Sequence, residues 1–114
     1  MKELNRAKGS AGEIFATQYL TKKKYEIVQT NYSNKIGEID IIAKDGKTLV
    51  FIEVKSRKTL KFGRPCEAVG VYKQNKIRQV ATLYLMMKKI KDTPIRFDVI
   101  EVLDGEINHI INAF

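Results

Sequence analysis

Two segments rich in β-branched residues flank an Asp-Gly pair in the first half of the sequence. Residues 38–43 read Glu-Ile-Asp-Ile-Ile-Ala, and residues 48–55 read Thr-Leu-Val-Phe-Ile-Glu-Val-Lys. Asp-Gly between such segments is a strong signal for a tight turn, because glycine readily adopts positive φ angles. The sequence therefore predicts a β-hairpin, and any fold for this chain has to be built around a sheet.

The residues before this hairpin predict one helix and one strand. Residues 10–24 carry apolar side chains near helical spacing, and residues 25–30 are rich in residues that favour strands. Residues 31–37 supply a loop between that strand and the hairpin.

The residues after the hairpin predict a second helix and two more strands. One apolar stripe recurs at i, i+3, i+4, i+7 and i+8: Ile77, Val80, Ala81, Tyr84 and Leu85. Beyond Pro94, strands 96–103 and 107–113 flank Asp104-Gly105, a second hairpin signal. The predicted order is α-β-β-β-α-β-β, a single domain over residues 1–114 with a central mixed five-stranded sheet flanked by helices.

Composition limits the partners of such a domain. The chain has 21 Lys and Arg against 13 Asp and Glu, a formal net charge of +8. This surface favours polyanions, because each neutralised phosphate releases counterions, although solubility alone would also account for the charge. Cys66 and His109 are the single residues of their types, so any metal would need oxygen ligands.

No apolar segment is long enough to cross a membrane. The longest uninterrupted apolar run has the sequence Leu49-Val50-Phe51-Ile52, and no apolar segment follows the basic N-terminus. We therefore expect no signal peptide, no membrane partner and a cytoplasmic location.

Strand alternation within the hairpin brings charged residues to one face. If Asp45-Gly46 forms the turn, Lys44 pairs with Lys47 and Asp40 lies opposite Phe51. Val50, Ile52 and Val54 then point to the other face, which we expect to be the core.

The face opposite that core would carry Asp40, Glu53 and Lys55. Asp40 and Glu53 are then diagonal neighbours, roughly 7–8 Å apart at their Cα atoms, and could grip one divalent ion. Lys55 could stabilise an attacking hydroxide or the charge of a phosphoryl transition state. The alternative is a solvated face with cross-strand ion pairs, but charges in a central strand are costly unless they are paired or coordinated.

The pattern also resembles a known signature. Gly37-Glu38-Ile39-Asp40, then twelve residues, then Glu53-Val54-Lys55 is similar to the PD-(D/E)xK motif of restriction-endonuclease-like nucleases, with Ile39 in place of its Pro. The chain more closely resembles the YraN-like family of uncharacterised bacterial proteins, which are similar to archaeal Holliday-junction resolvases. The ordered set that carries this resemblance runs nearly end to end, from Gly12-Glu13 through Asn31, Phe62-Gly63, Lys73 and Arg96-Phe97-Asp98 to Asn112-Ala113-Phe114.

The resemblance implies a restriction-endonuclease-like core and a nuclease that depends on Mg²⁺ or Mn²⁺. Asp40, Glu53 and the Val54 carbonyl would hold the metal, and Lys55 would be the catalytic cation. Water would attack phosphorus in DNA without a covalent enzyme intermediate, in an endonuclease or a structure-selective, resolvase-like enzyme, and the sequence leaves branched or linear substrates open. A homodimer is also implied, since resolvase-like proteins commonly act as dimers, although no patch in the sequence can be assigned to an interface.

Glu13 has two interpretations that the sequence leaves open. The resemblance gives it the role of an extra catalytic acid on the first helix. Ser10-Ala11-Gly12-Glu13 also fits a capping box, in which Glu13 would accept a hydrogen bond from a backbone amide at the start of the helix.

A basic set is expected to contact nucleic acid. Loops after a catalytic strand lie where substrate must lie, and Lys and Arg bind phosphates without reading sequence. The predicted contacts are Arg57, Lys58, Lys61, Arg64, Lys73 and Lys76, with a solvated basic face as the alternative. Asp98, near Arg96, is expected to pair within the sheet, with a supporting role near the site as the alternative, and His109 is expected to have a structural role.

Two rivals to the nuclease hypothesis remain at this stage. One is a non-catalytic nucleic-acid-binding module that keeps the same fold and basic surface. The other is a protein-interaction subunit whose acids balance its basic surface.

Overall fold

The computed structural model describes residues 11–57 and 69–114, and no side chain is described for Arg57. Its elements are α1 (Ala11–Lys22), β1 (Glu26–Ser33), β2 (Glu38–Asp45), β3 (Thr48–Arg57), α2 (Val71–Met87), β4 (Ile95–Leu103) and β5 (Glu106–Ile110). The predicted order α-β-β-β-α-β-β is confirmed. Among the described residues, no helix is both long and apolar enough to cross a membrane.

The five strands form one mixed sheet in the spatial order β1-β2-β3-β4-β5. β3 and β4 run parallel, and the other neighbouring pairs are antiparallel. A parallel pair needs a crossover connection, and α2 lies within the connection between β3 and β4. The predicted mixed five-stranded sheet flanked by helices is therefore confirmed.

Hydrophobic cores cover both faces of the sheet, so the expectation of one core face was wrong. On one face, Ala16 and Leu20 of α1 pack in a cluster with Val50, Ile52 and Ile100. On the other face, the predicted stripe of α2 packs against Phe51 and Val99. Long runs of apolar residues in β2 and β3 follow from this, since strands that are covered on both faces do not alternate apolar with polar residues.

The first hairpin turn lies one residue later than predicted. Asp45 pairs with Thr48, so the turn consists of Gly46 and Lys47, and Phe51 pairs with Ile42 instead of Asp40. Gly46 has a φ of +64°, and glycine with positive φ is typical of the first central position of a two-residue hairpin turn. The second hairpin turn was placed correctly, because Leu103 pairs with Glu106 across Asp104-Gly105.

The predicted strand ends were less accurate. β1 extends to Ser33, into residues assigned to a loop, and β5 ends at Ile110 instead of residue 113. Beyond β5 the chain still bonds to the sheet, because the Ala113 amide donates to the Phe97 carbonyl at 2.7 Å.

Candidate active site

The candidate site lies where β2 and β3 stop pairing. The last paired residues of this ladder are Ile41 and Ile52. Ile39 belongs to the core on the α2 face and Ile41 to the core on the α1 face, so the side-chain alternation of β2 is interrupted at Asp40. The Val54 amide, which no longer has a ladder partner in β2, donates to Asp40 Oδ2 at 2.8 Å.

Glu53 is the buried acid of the site. Its exposed fraction is 7%, and two lysines approach the same carboxylate oxygen. Lys55 Nζ lies 3.6 Å from Glu53 Oε2, and Lys73 Nζ lies 3.4 Å from it. Lys55 comes from the same strand, whereas Lys73 comes from α2, so the helix that covers this face of the sheet also supplies a counter-charge.

Glu13 reaches the site from α1. Its side chain forms hydrogen bonds with the side chains of Asp40 and Asn31. The structure therefore brings Glu13 to Asp40, as the catalytic interpretation requires. The capping interpretation depends on Ser10, which lies outside the described residues.

Burial and a neighbouring acid raise the proton affinity of each of the three carboxyl groups. Burial and the neighbouring charge of Glu13 raise the pKa of Asp40 to about 6, although the hydrogen bond from the Val54 amide lowers this pKa. Burial, then the charge of Asp40, raises the pKa of Glu53, and burial is also the main cause that raises the pKa of Glu13. The hydrogen bond between Glu13 and Asp40 raises the pKa of Asp40 and lowers that of Glu13, as expected when Asp40 carries the proton of the pair.

Within residues 11–57 and 69–114, no group of three or more His, Cys, Asp or Glu side chains is arranged to hold a metal ion. The set expected from the sequence has only two carboxylates, Asp40 and Glu53, with the Val54 carbonyl as its third ligand. The charge of Asp40 is one of the causes that raise the pKa of Glu53, as expected of neighbouring carboxylates.

The predicted nucleic-acid contacts divide into three groups. Lys73 lies in the site itself, against Glu53. Lys76 lies one turn further along α2, with its Nζ 5.5 Å from the centroid of the Tyr72 ring. Lys58, Lys61 and Arg64 lie outside the described residues, and Arg57 ends β3.

Gly37 allows α2 to approach the start of β2 closely. A Cβ atom at this position would meet Val80 Cγ2 at 3.1 Å and Lys76 Cγ at 3.4 Å. Glycine in the Gly-Glu-Ile-Asp motif therefore has a packing role, which keeps α2 and its lysines next to the strand that carries Asp40.

A second polar cluster lies on the α1 face of the sheet and is structural. Asp98 is fully buried and accepts two hydrogen bonds from Arg96, at 2.9 and 3.0 Å. It also lies 2.7 Å from His109 Nε2 and accepts the Asn112 amide at 2.9 Å. The predicted pairing of Asp98 within the sheet is confirmed by Arg96. The His109 side chain is buried and bonds to Asp98 and Tyr19, which agrees with the structural role predicted for it.

The ion pair of Lys73 with Glu53 was not predicted from the sequence. A signal was present, since Lys73 is four residues before Ile77 and therefore lies on the same side of α2 as the buried stripe. The contact of Asn31 with Glu13 had no such signal. Asn31 lies in β1 with a φ of +53°, a local distortion that alternation does not predict.

Comparison with known sequences places the chain in a family. Residues 12–102 match the family described as Uncharacterised protein family UPF0102. A UPF0102 protein of Clostridioides difficile is 53% identical over 96% of this chain and 98% of its own length. A UPF0102 protein of Thermodesulfovibrio yellowstonii is 49% identical over 93% of this chain and 94% of its own length. A third, from Caldanaerobacter subterraneus, is 47% identical over the whole of both chains. The match over most of the sequence shows that this chain belongs to the uncharacterised protein family UPF0102.

Proposed function

We propose that this protein is a divalent-metal-dependent nuclease of the restriction-endonuclease-like type that hydrolyses phosphodiester bonds in DNA. The observation that carries the proposal is the convergence of Asp40, Glu53 and Lys55 at the point where β2 and β3 separate. A buried acid, Glu53, beside a half-buried acid, Asp40, in two adjacent strands is costly for stability, so their presence favours a functional role.

The residues of the site fit a divalent cation. Burial raises the pKa of both Asp40 and Glu53, and a neighbouring acid adds to each rise, Glu13 for Asp40 and Asp40 for Glu53. A bound cation would offset this repulsion. Oxygen ligands of this kind suit Mg²⁺ or Mn²⁺, with the Val54 carbonyl as a further ligand. When bound, the cation would supply positive charge to the phosphate and lower the pKa of a water molecule.

The chain's own cations would complete the chemistry. The Lys55 ammonium lies beside Glu53 and is positioned to stabilise the negative charge that develops on a phosphate during attack by water. Lys73 lies in α2 and brings a second positive charge to the Glu53 carboxylate. Glu13, hydrogen-bonded to Asp40, holds that acid in place and can take up a proton from its surroundings.

Cleavage assays in Mn²⁺ test the proposal. Junction, flap, single-stranded and duplex DNA would be incubated with the wild-type protein, with Asp40→Asn and with Lys55→Ala. We expect at least one substrate to be cut by the wild type and by neither variant. Cleavage that survives in Asp40→Asn would point to a contaminating nuclease, and no cleavage of any substrate in Mn²⁺ or Mg²⁺ would contradict the proposal.

A DNA-binding module without catalysis is the second candidate, favoured by the net charge of +8 and by the absence of a three-ligand group among the described residues. Isothermal titration with Mn²⁺ separates the two functions. Binding by the wild type that is lost in Asp40→Ala supports the nuclease, whereas no metal binding beside salt-dependent DNA binding supports the module.

A further inference from the structure

Tyr72 stands out among the five tyrosines of the chain. Its exposed fraction is 76%, whereas Tyr25 and Tyr84 are buried and Tyr19 and Tyr32 are half-buried. Tyrosine carries a large apolar ring, and burying that ring normally contributes to the core or to an interface. The exposed ring of Tyr72 therefore lies outside both hydrophobic cores of the described residues.

The position of Tyr72 places this ring beside the candidate active site. Tyr72 lies in the first turn of α2, and its chain neighbour Lys73 forms an ion pair with Glu53. One turn further, Lys76 Nζ lies 5.5 Å from the centroid of the Tyr72 ring. Lys76 also packs near Gly37, at the start of the strand that carries Asp40. The aromatic ring thus has Lys76 against it and belongs to the first turn of α2, whose Lys73 contacts Glu53.

An exposed aromatic ring flanked by cations is the arrangement that binds unpaired nucleotides. Bases stack on the ring face, and lysines contact the adjoining phosphates. Bases within a duplex are already stacked on each other and cannot use such a ring. Single-stranded segments, flaps and branch points expose bases that can.

We propose that Tyr72 is a stacking platform that selects DNA with an unpaired base next to the candidate active site, with Lys76 as its phosphate contact. The proposal rests on the proposed function, because it names the form of DNA that the same site would act on. It differs from the expectation for the basic loop, which concerns phosphates alone and gives no preference between paired and unpaired strands.

Binding measurements in EDTA test Tyr72 independently of cleavage. The probes are a short blunt DNA duplex and the same duplex with a single-stranded tail that carries 2-aminopurine, a fluorescent adenine analogue. We expect Tyr72→Ala to bind the tailed duplex about 10-fold more weakly than the wild type and the blunt duplex equally well, because stacking on one aromatic ring contributes on the order of 10-fold per base. The wild type should quench the 2-aminopurine fluorescence, and Tyr72→Ala should not.

Two matched variants complete the design. Tyr72→Phe keeps the ring and should bind the tail and quench its fluorescence as the wild type does. Val71→Ala truncates the adjacent side chain, which is exposed as well (71%), and should leave binding of both probes unchanged. An equal loss on tailed and blunt duplex in Tyr72→Ala, no loss at all, or no binding of the tailed probe by the wild type would each overturn the proposal.

The outcome is separable from that of the proposed function. Selective, Tyr72-dependent binding of the tail without any cleavage in Mn²⁺ would leave the stacking platform in place and remove the nuclease. If the wild type cuts DNA and Tyr72→Ala binds tailed and blunt DNA as the wild type does, the nuclease stands and the stacking platform is ruled out.

Discussion

Asp40 Oδ2 accepts a hydrogen bond from the Val54 amide at 2.8 Å, across the point where the ladder between β2 and β3 ends. This bond satisfies a backbone donor that has lost its strand partner, and it fixes the carboxylate next to Glu53. The Asp40 side chain therefore has two roles. It satisfies a backbone donor of the sheet, and it is held where a metal ligand is expected.

Asp40→Asn should be more stable than the wild type at neutral pH in EDTA. The pKa of Asp40 is raised from 3.8 to about 6, so the folded state binds the proton more tightly than the unfolded state. Stability of the wild type therefore falls as pH rises from about 4 to 6 and stays at the lower level above that range. Asn cannot ionise, and its carbonyl can still accept the Val54 amide. We expect a gain of about 1 to 3 kcal/mol at pH 7.

Urea unfolding of both proteins at pH 4.5 and pH 7 measures this effect. The advantage of Asp40→Asn should be larger at the higher pH. An advantage that does not change between the two values would mean that Asp40 has an ordinary proton affinity.

Mn²⁺ should stabilise the wild type through Glu53. A ligand that binds the folded state at 100 times its dissociation constant adds about 2.7 kcal/mol, which corresponds to a rise in Tm of about 10 °C for a domain of this size. Glu53→Gln should lose this rise. The rise should also be smaller at pH 5 than at pH 7.5, because protons compete with the metal for the two acids, whose pKa values are both raised.

Thermal unfolding with Mn²⁺, Mg²⁺ and EDTA provides the measurement. Glu26→Gln, an exposed acid at the start of β1, is the matched control and should keep the full rise. An equal rise in Glu53→Gln would show that the metal binds elsewhere.

Lys55 and Lys73 should differ in their effect on cleavage. Both pair with the same oxygen of Glu53, but only Lys55 projects from the strand that carries this acid. We expect Lys55→Met to lower kcat about 100-fold or more, because it removes a charge that stabilises the transition state. Lys73→Met should lower it less. Stability should change by less than about 1 kcal/mol in both, because the lysine side chains are 30% and 47% exposed.

Single-turnover cleavage of the best substrate, with circular dichroism as a check on folding, compares the two variants. A larger loss in Lys73→Met than in Lys55→Met would reverse the assignment of the catalytic cation.

Asp98→Ala should lower stability without affecting the candidate site. The carboxylate is buried and compensates Arg96 and His109, so its removal leaves buried polar groups without a partner and should cost about 3 to 5 kcal/mol. Burial alone would raise the pKa of Asp98, but hydrogen bonds from His109, Arg96 and the Asn112 amide lower it below its usual value. This contribution is therefore complete above pH 4 and is lost as pH falls below about 4.

Unfolding free energies of wild type and Asp98→Ala between pH 3 and pH 7 test both statements. The gap between them should narrow in acid, and the Mn²⁺-induced rise in Tm should persist in the folded variant. Loss of the Mn²⁺-induced rise in Tm would mean that metal binding at the candidate site depends on the Asp98 cluster.

Much of the fold could be predicted from local signals. The stripe headed by Ile77 predicted α2, because a helix that packs on a sheet repeats its apolar residues at helical spacing. Asp104-Gly105 predicted a turn at the right position, because both residues adopt positive φ. Asp40, Glu53 and Lys55 were selected for their chemistry in two neighbouring strands, and the structure brings Asp40 and Lys55 to Glu53.

Other features depended on contacts between distant segments. The register of the first hairpin was predicted two residues off for Asp40, because Asp45-Gly46 allows more than one turn and a single positive φ at Gly46 decides between them. The apolar runs of β2 and β3 carried a signal for the two-sided core, but which helix covers which face depends on contacts between distant segments.

The sequence by itself determined the order of the elements, the basic charge and the identity of the acids, since these depend on residue type and spacing along the chain. Only the tertiary structure decided that Glu13 of α1 and Lys73 of α2 reach the same two strands from opposite faces. The physical reason is that β2 breaks its alternation at Asp40, where it separates from β3, and this opens the sheet to side chains from both helices.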